Sequence, residues 1–185
     1  MEKINFLKNL PLFSNLNEKE IKLILDFFNS YEKTFEKNNF IFEIGKPIDK
    51  IGIITSGEIN IIKEDFWGNR NILNKFKTGE IFGEVFALSK VIPLNISVEA
   101  SQNTRILFLD FKDFSMENSE NPAEIIKFLS NIFKISLRKN ILFTEKLEHI
   151  TKKSVREKII SFLSSEAQKN NYKQGLLTTD KIFSL

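Results

Sequence analysis

The 185-residue chain contains no cysteine and a single histidine, His149. Without cysteine it can form no disulfide and cannot hold an iron–sulfur cluster through thiolates. One histidine also argues against a haem site and against a metal-dependent enzyme, because such sites need several imidazole or thiolate ligands. We therefore expect no metal site, no catalytic residue and no resident cofactor.

Long apolar runs are missing as well. No window approaches the roughly 18 apolar residues of a membrane-spanning helix, and the N-terminal MEKINFLKNLPLF is too mixed in charge for a signal peptide. These features predict a cytoplasmic protein. Residues 1–110 carry 14 Lys and Arg against 15 Asp and Glu, whereas residues 111–185 carry 13 against 9. The basic excess of the C-terminal part is typical of a surface facing nucleic acid and also of solvated helices.

Between residues 31 and 110, apolar residues alternate in short segments separated by Gly, Pro and Asn. This pattern predicts an all-β sandwich or barrel. Phenylalanine is abundant, with 19 residues, and six are predicted to point inward and fill the core: Phe35, Phe40, Phe42, Phe76, Phe82 and Phe108. Trp67, in a turn before Gly68, is predicted to be exposed. Residues 3–29 are predicted to be helical, with Asn17 as an N-cap.

A long helix is predicted after Pro122, with two apolar stripes. One has the three- and four-residue spacing of a coiled-coil seam and predicts a homodimer interface formed by Ile126, Leu129, Phe133, Ser136, Asn140, Phe143, Leu147 and Ile150. The other is predicted to pack on the protein's own barrel through Ile125, Phe128, Ile132, Ile135 and Leu142. Asn140 within the seam would fix the register of the two helices.

The stretch 79–100, GEIFGEVFALSKVIPLNISVEA, combines two glycine turns, one carboxylate that is predicted to be buried, and a short apolar helix. Gly83 is followed at once by Glu84 and the run Val85 to Leu88. A glycine turn leading into a helix directs backbone N–H groups at one point, which suits a phosphate or a carboxylate. The stretch is therefore predicted to build a pocket for a small anionic ligand.

This stretch resembles the phosphate-binding cassette of the CRP/FNR family of bacterial transcription regulators. The resemblance runs from about Leu7 to Leu185, includes turn glycines at 45, 57, 68, 79 and 83, and rests on LKNLPLFSNLNEKEI (7–21), IFEIGKP (41–47), IITSGEINI (53–61), FWGN (66–69) and TGEIFGE (78–84). It implies an α+β protein: a double-stranded β-helix, or jelly roll, with flanking helices. The implied domains are a cyclic nucleotide-binding-like effector barrel (1–115), a dimerisation helix (116–150) and the start of a winged helix-turn-helix domain (151–185).

The resemblance also implies an effector site. Gly83 and Glu84 would receive the polar part of the ligand, and further contacts would come from Leu73, Phe82, Val85, Leu94 and Asn95, with Asn140 and Thr144 from the partner helix. Leu94 and Asn95 stand where members that bind cyclic nucleotides carry an Arg followed by Ser or Thr. No Arg lies between Arg70 and Arg105, although Lys90 could reach the cassette. Cyclic AMP is therefore not expected, and the small-molecule effector stays unidentified.

Residues 151–185 resemble the root of the DNA-binding domain, with a capping box at Ser154 and Glu157 and a short strand at 176–185. The groove-reading helix is expected after Leu185. The leading hypothesis is the effector-sensing, dimerising part of a CRP/FNR-type regulator, with a second copy, operator DNA and RNA polymerase as partners. The alternative is a stand-alone ligand-binding or dimerisation module that does not read DNA. A jelly-roll enzyme is disfavoured by the shortage of His and Cys.

Overall fold

The computed structural model describes residues 2–65, 67–89, 94–118 and 120–150, together with residues 159, 160, 163, 164 and 167. The predicted capping box at Ser154 and the strand at 176–185 lie outside the described residues, as do Phe66 and Lys90. The chain divides into two compact units, residues 1–136 and 137–185. Among the described helices, none is long and apolar enough to cross a membrane.

The chain begins with helix α1 (Glu2–Lys8), a 3₁₀ turn (Pro11–Phe13) and helix α2 (Glu18–Phe27). Asn17 caps α2, because its Oδ1 accepts hydrogen bonds from the N–H groups of Lys19 and Glu20 at 2.9 and 3.1 Å. The Asn17 N–H in turn donates to Glu20 Oε2 at 2.6 Å. This reciprocal capping box confirms the predicted helix start.

Eight strands follow: β1 (Tyr31–Phe35), β2 (Phe40–Phe42), β3 (Lys50–Ser56), β4 (Glu58–Glu64), β5 (Arg70–Lys77), β6 (Ile81–Phe82), β7 (Ser97–Ala100) and β8 (Thr104–Asp110). They form two four-stranded antiparallel sheets with the orders β1-β8-β3-β6 and β2-β7-β4-β5. The predicted jelly roll is therefore confirmed. The five glycines at the predicted turns, Gly45, Gly57, Gly68, Gly79 and Gly83, all have positive φ.

The first sheet is covered on both faces. Ile51 and Ile53 of β3 belong to a core that includes the N-terminal helices, whereas Ile54 belongs to the core inside the barrel. A strand buried on both faces loses the alternation of exposed and buried residues, which explains the continuous burial from Ile51 to Ile54. In the helical core, the rings of Phe28 and Phe111 stack at 4.2 Å.

Five of the six phenylalanines predicted to point inward do so: Phe35, Phe82 and Phe108 are buried, and Phe42 and Phe76 are half-buried against the barrel core. The prediction for Phe40 is wrong, since it is 40% exposed. The register between β2 and β7 shifts between Phe40 and Phe42, so these residues do not share a face. Phe40 instead lies under Arg70, whose Cζ is 5.3 Å from the ring centroid. Trp67 is 82% exposed, as predicted.

Helix α4 (Pro122–Ile150) buries Ile125, Phe128 and Ile132, which confirms that most of the second stripe is buried. Among the described residues, the ring contacts of Phe128 are with Phe13 and Phe28 of the N-terminal segment and not, as predicted, with the barrel. The Phe128 ring lies 5.7 Å from that of Phe13. Leu142 was predicted to join this packed face, but it is 45% exposed. Leu142 lies in the second unit, beyond the part of the helix that belongs to the first.

Candidate functional site

The cassette follows β6 directly. Gly83 has a φ of 83°, and Glu84 opens helix α3 (Glu84–Ser89) with its side chain 4% exposed. The Ala87 N–H donates to the Gly83 carbonyl oxygen at 3.0 Å, which closes the first turn of α3. The predicted turn, buried carboxylate and short helix are thus all present. Because α3 has only six residues, its dipole alone does not make an anion site.

Close packing explains why position 83 needs glycine. A Cβ there would lie 3.0 Å from the Lys50 carbonyl oxygen and 3.1 Å from Phe42 Cε2, in addition to the strain of a positive φ. Gly52 of β3 is constrained by packing alone, because a Cβ there would overlap the ring of Phe82. The cassette is therefore held against β3 and β2 by two glycines and two phenylalanine rings.

The remaining predicted effector residues fall into three groups. Phe82 and Leu94 are buried in the core. Leu73 and Val85 are apolar but 52% and 61% exposed, and Asn95 is exposed. Asn140 and Thr144 lie in the second unit and are exposed; the Thr144 hydroxyl donates to the Asn140 carbonyl oxygen at 3.0 Å, within the helix. Phe82, Gly83 and Glu84 lie together at the start of the cassette helix. That all the predicted effector residues line one site stays a prediction.

A cavity of about 270 Å³ lies between β1 and the segment that joins β2 to β3. Its apolar lining consists of Phe35, Ile41, Phe42, Ile48, Leu94 and Phe108. Of the predicted effector residues, Leu94 alone contributes to it among the residues described. The sequence carried a signal for this cavity that our reasoning missed: Tyr31, Lys33 and Phe35 alternate along β1, so a lysine shares the cavity-lining face of the strand with two aromatic residues.

Residues 32–117 match the sequence family of the cyclic nucleotide-binding domain. This part of the chain is a cyclic nucleotide-binding domain. The match begins in β1 and ends after β8, so it covers the whole barrel together with the cassette. No curated protein matches the chain.

Solved structures share this fold. The Catabolite Activator Protein of Thermus thermophilus is 22% identical with a TM-score of 0.58, over 75% of this chain and 63% of that protein. The N-terminal domain of a transcriptional regulator from Streptomyces coelicolor A3(2) is 22% identical with a TM-score of 0.59, over 73% and 94%. The regulatory subunit of a cAMP-independent protein kinase A from Trypanosoma brucei is 22% identical with a TM-score of 0.54, over 75% and 50%. The chain thus spans less than two thirds of the first of these proteins.

Arg70 is the arginine that precedes the cassette of the cyclic nucleotide-binding domain, and its charge is engaged elsewhere. Its Nε lies 2.7 Å from Glu64 Oε1 and its Nη1 lies 3.1 Å from Oε2 of the buried Glu99. The hydrogen bond with Glu64, more than the charge of Glu99, raises the pKa of Arg70 above its ordinary value. The guanidinium group also stacks on the exposed Phe40.

Charged groups surround the cavity of the domain. Three lysines and two carboxylates line it: Lys33, Lys46, Lys50, Glu43 and Asp49. Lys46 Nζ pairs with Glu43 Oε2 at 2.9 Å. A hydrogen bond with the Tyr31 hydroxyl raises the pKa of Lys50, helped by the charges of Asp49 and Asp110 and opposed by partial burial. Lys33 Nζ lies 4.9 Å from the centroid of the Phe35 ring.

Proposed function

We propose that the chain is the effector-sensing, dimerising part of a CRP/FNR-type DNA-binding transcription regulator. The observation that carries this proposal is the apolar stripe on α4, the helix that follows the cyclic nucleotide-binding domain. Ile126, Phe133 and Phe143 of the predicted seam are 57%, 64% and 59% exposed. Large apolar side chains exposed in sequence along one helix are typical of an interface with a partner.

The other seam residues refine this interface. Leu147 is 44% exposed, whereas Leu129 is half-buried against the core of its own unit and offers less surface to a partner helix. Leu137 and Ile141, which the heptad pattern left out, are 46% and 62% exposed and widen the stripe. A second copy of the same helix offers the same apolar surface, so in a twofold homodimer the seam of each copy would be covered by the seam of the other.

Light scattering tests the homodimer. We expect the chain to be a dimer at micromolar concentration and Phe133→Asp to be a monomer, because the substitution places a charge at the most exposed apolar residue of the seam. Lys134→Asp is the matched control: it lies next to Phe133, is exposed and lies outside the seam, so it should remain a dimer. A dimeric Phe133→Asp would refute the interface, as would a wild-type chain that is monomeric.

The cassette is the proposed effector site. Glu84 is buried at the start of α3 directly after the Gly83 turn, an arrangement in which a carboxylate can accept hydrogen bonds from a ligand's hydroxyl or amino groups. Leu73 and Val85 expose apolar surface that a ligand could cover, and Asn140 and Thr144 of the partner helix would complete the site. Effector binding would shift the packing of the dimer helices, and this shift would change the affinity of the regulator for operator DNA.

Cyclic AMP is not the proposed effector. Leu94, at the position of the phosphate-binding arginine, is buried in the core, and Arg70 is paired with Glu64 and Glu99. The fold also occurs in a kinase regulatory subunit described as cAMP-independent. A ligand at 100 times its dissociation constant adds about 2.7 kcal/mol to the free energy of unfolding. We expect millimolar cyclic AMP to leave the melting temperature unchanged, and a rise of several degrees would show that the cassette binds it.

A further inference from the structure

The cavity beside β1 shares Leu94 with the predicted effector residues but not the Gly83 turn of the cassette. Its polar groups come from β1, from the segment joining β2 to β3 and from Lys50 at the start of β3, and neither Gly83 nor Glu84 lines it. Its volume of about 270 Å³ is just below the range of about 300–1,000 Å³ typical of drug-sized ligands. An occupant must therefore be small, with room for one ring and a short substituent.

The inner wall of the cavity is aromatic. Phe108 is 3% exposed, and its ring centroid lies 5.4 Å from Tyr31, 6.2 Å from Phe35 and 6.0 Å from Phe42. Aromatic rings pack favourably at centroid separations of this size. A ring-bearing ligand would extend this cluster, whereas a fully polar ligand would leave the apolar wall poorly matched.

The charges at the rim favour an anion. Lys46 is paired with Glu43, and Lys50 Nζ lies 5.5 Å from the centroid of the Tyr31 ring, where the charges of Asp49 and Asp110 act on it. None of the ion pairs between described residues involves Lys33 or Lys50, but Lys50 interacts with the charges of Asp49 and Asp110. The Lys33 ammonium group lies over the Phe35 ring, at the boundary between the aromatic wall and solvent. A carboxylate attached to a buried ring would therefore meet a lysine that no carboxylate of the described residues neutralises.

We propose that this cavity is a second binding site, distinct from the Gly83–Glu84 turn of the cassette, for a small monoanion with an aromatic body, such as an arylalkyl carboxylate. The ring would lie against Phe35 and Phe108, and the carboxylate would accept hydrogen bonds from the Lys33 ammonium group. The proposal does not depend on the cassette binding an effector or on the dimer.

The experiment is a titration of the ¹⁵N-labelled chain with 3-phenylpropanoate, followed by two-dimensional NMR. We expect saturable binding in the millimolar range, as for a fragment of this size. The amide signals that shift should be those of Lys33, Leu94 and Phe108, while those of Gly83 and Glu84 stay in place. The neutral analogue 3-phenylpropanamide should bind about fivefold more weakly, the size expected for one partly exposed charge pair.

Two variants locate the site. Lys33→Gln should weaken 3-phenylpropanoate about fivefold and leave the amide analogue unchanged, whereas Lys63→Gln, an exposed lysine outside the cavity, should change neither. Ile41→Phe should fill the cavity and abolish binding of both compounds, provided that circular dichroism shows it folded. The proposal would be overturned if the acid and the amide bound equally well or if Lys33→Gln had no effect. It would also be overturned if the shifted signals were centred on Gly83 or if no saturable binding were seen.

Discussion

Replacement of Gly52 by alanine tests how the cassette is held. Gly52 pairs with Phe82 of β6 on one side and with Phe108 of β8 on the other, inside the barrel. The Phe82 side chain is 1% exposed, and its ring occupies the place where a Cβ of residue 52 would lie. Gly52→Ala must therefore displace this ring or separate β3 from β6.

The cost of this displacement can be estimated from core substitutions that add a methyl group. Overpacking of a close-packed core costs about 1–3 kcal/mol, which is a large part of the roughly 5–15 kcal/mol by which a typical domain is stable. The Phe82 ring cannot move into free space easily, because it also packs against Phe42 at a centroid distance of 5.4 Å. Since Gly83 and Glu84 follow Phe82, a shift of the ring should also displace the cassette.

Urea unfolding monitored by circular dichroism measures the effect. We expect the midpoint of Gly52→Ala to fall without a change in the slope m. In a double-mutant cycle, Phe82→Leu removes the ring that the new methyl group meets. The double variant should be more stable than the sum of the single losses predicts, by about 1 kcal/mol. Additive losses, or a Gly52→Ala variant as stable as the wild type, would refute this account of the contact.

Two further predictions concern the attachment of α4. Asn131 is buried, and its Nδ2 donates to the carbonyl oxygens of Leu12 and Ser14 at 3.0 and 2.9 Å. Asn131→Ala should lower the free energy of unfolding in urea by about 1–3 kcal/mol, whereas Asn103→Ala, at an exposed position, should lower it by less than about 0.5 kcal/mol. Equal losses would contradict the role of Asn131. The hydrogen bond from Lys127 at 2.8 Å, followed by that from the Asn17 N–H, lowers the pKa of Glu20 below its ordinary value of 4.5. A depressed folded-state pKa means that Glu20 stabilises the fold above its unfolded-state pKa and that this stabilisation is lost as the pH falls through the folded-state pKa. Glu20→Gln should therefore be less stable than the wild type near neutral pH, and the difference should shrink as the pH falls below 4.5 and vanish once Glu20 is protonated in the folded state; a pH-independent difference would contradict the ion pair.

Much of the fold could be predicted because it depends on local chemistry. The capping box at Asn17 uses side chains three residues apart, and the turn glycines need positive φ, so both features are visible in the sequence. The buried half of α4 could be predicted from its helical period. The burial of Glu84 was also expected, since it follows a glycine turn and precedes an apolar run.

The errors arose where distant segments meet. Phe40 points outward because of a register shift against β7, a strand more than fifty residues later in the chain, and alternation within β2 could not indicate this shift. The cavity was missed for the same reason, since its wall joins β1, the segment after β2, Leu94 and Phe108. Each segment alone resembles an ordinary half-buried strand or loop.

The sequence by itself determined the elements of this protein: a capped helix, turn glycines, alternating strands, a cassette with one carboxylate and a helix with two apolar faces. These follow from backbone conformation and from the periods of helix and strand, which act over a few residues. Only the tertiary structure decided which faces are covered, that Arg70 is held by Glu64 and Glu99, and that Lys33 lies at the rim of an aromatic cavity. Such pairings depend on strand register and on packing between residues far apart in the chain, for which no local pattern carries the information.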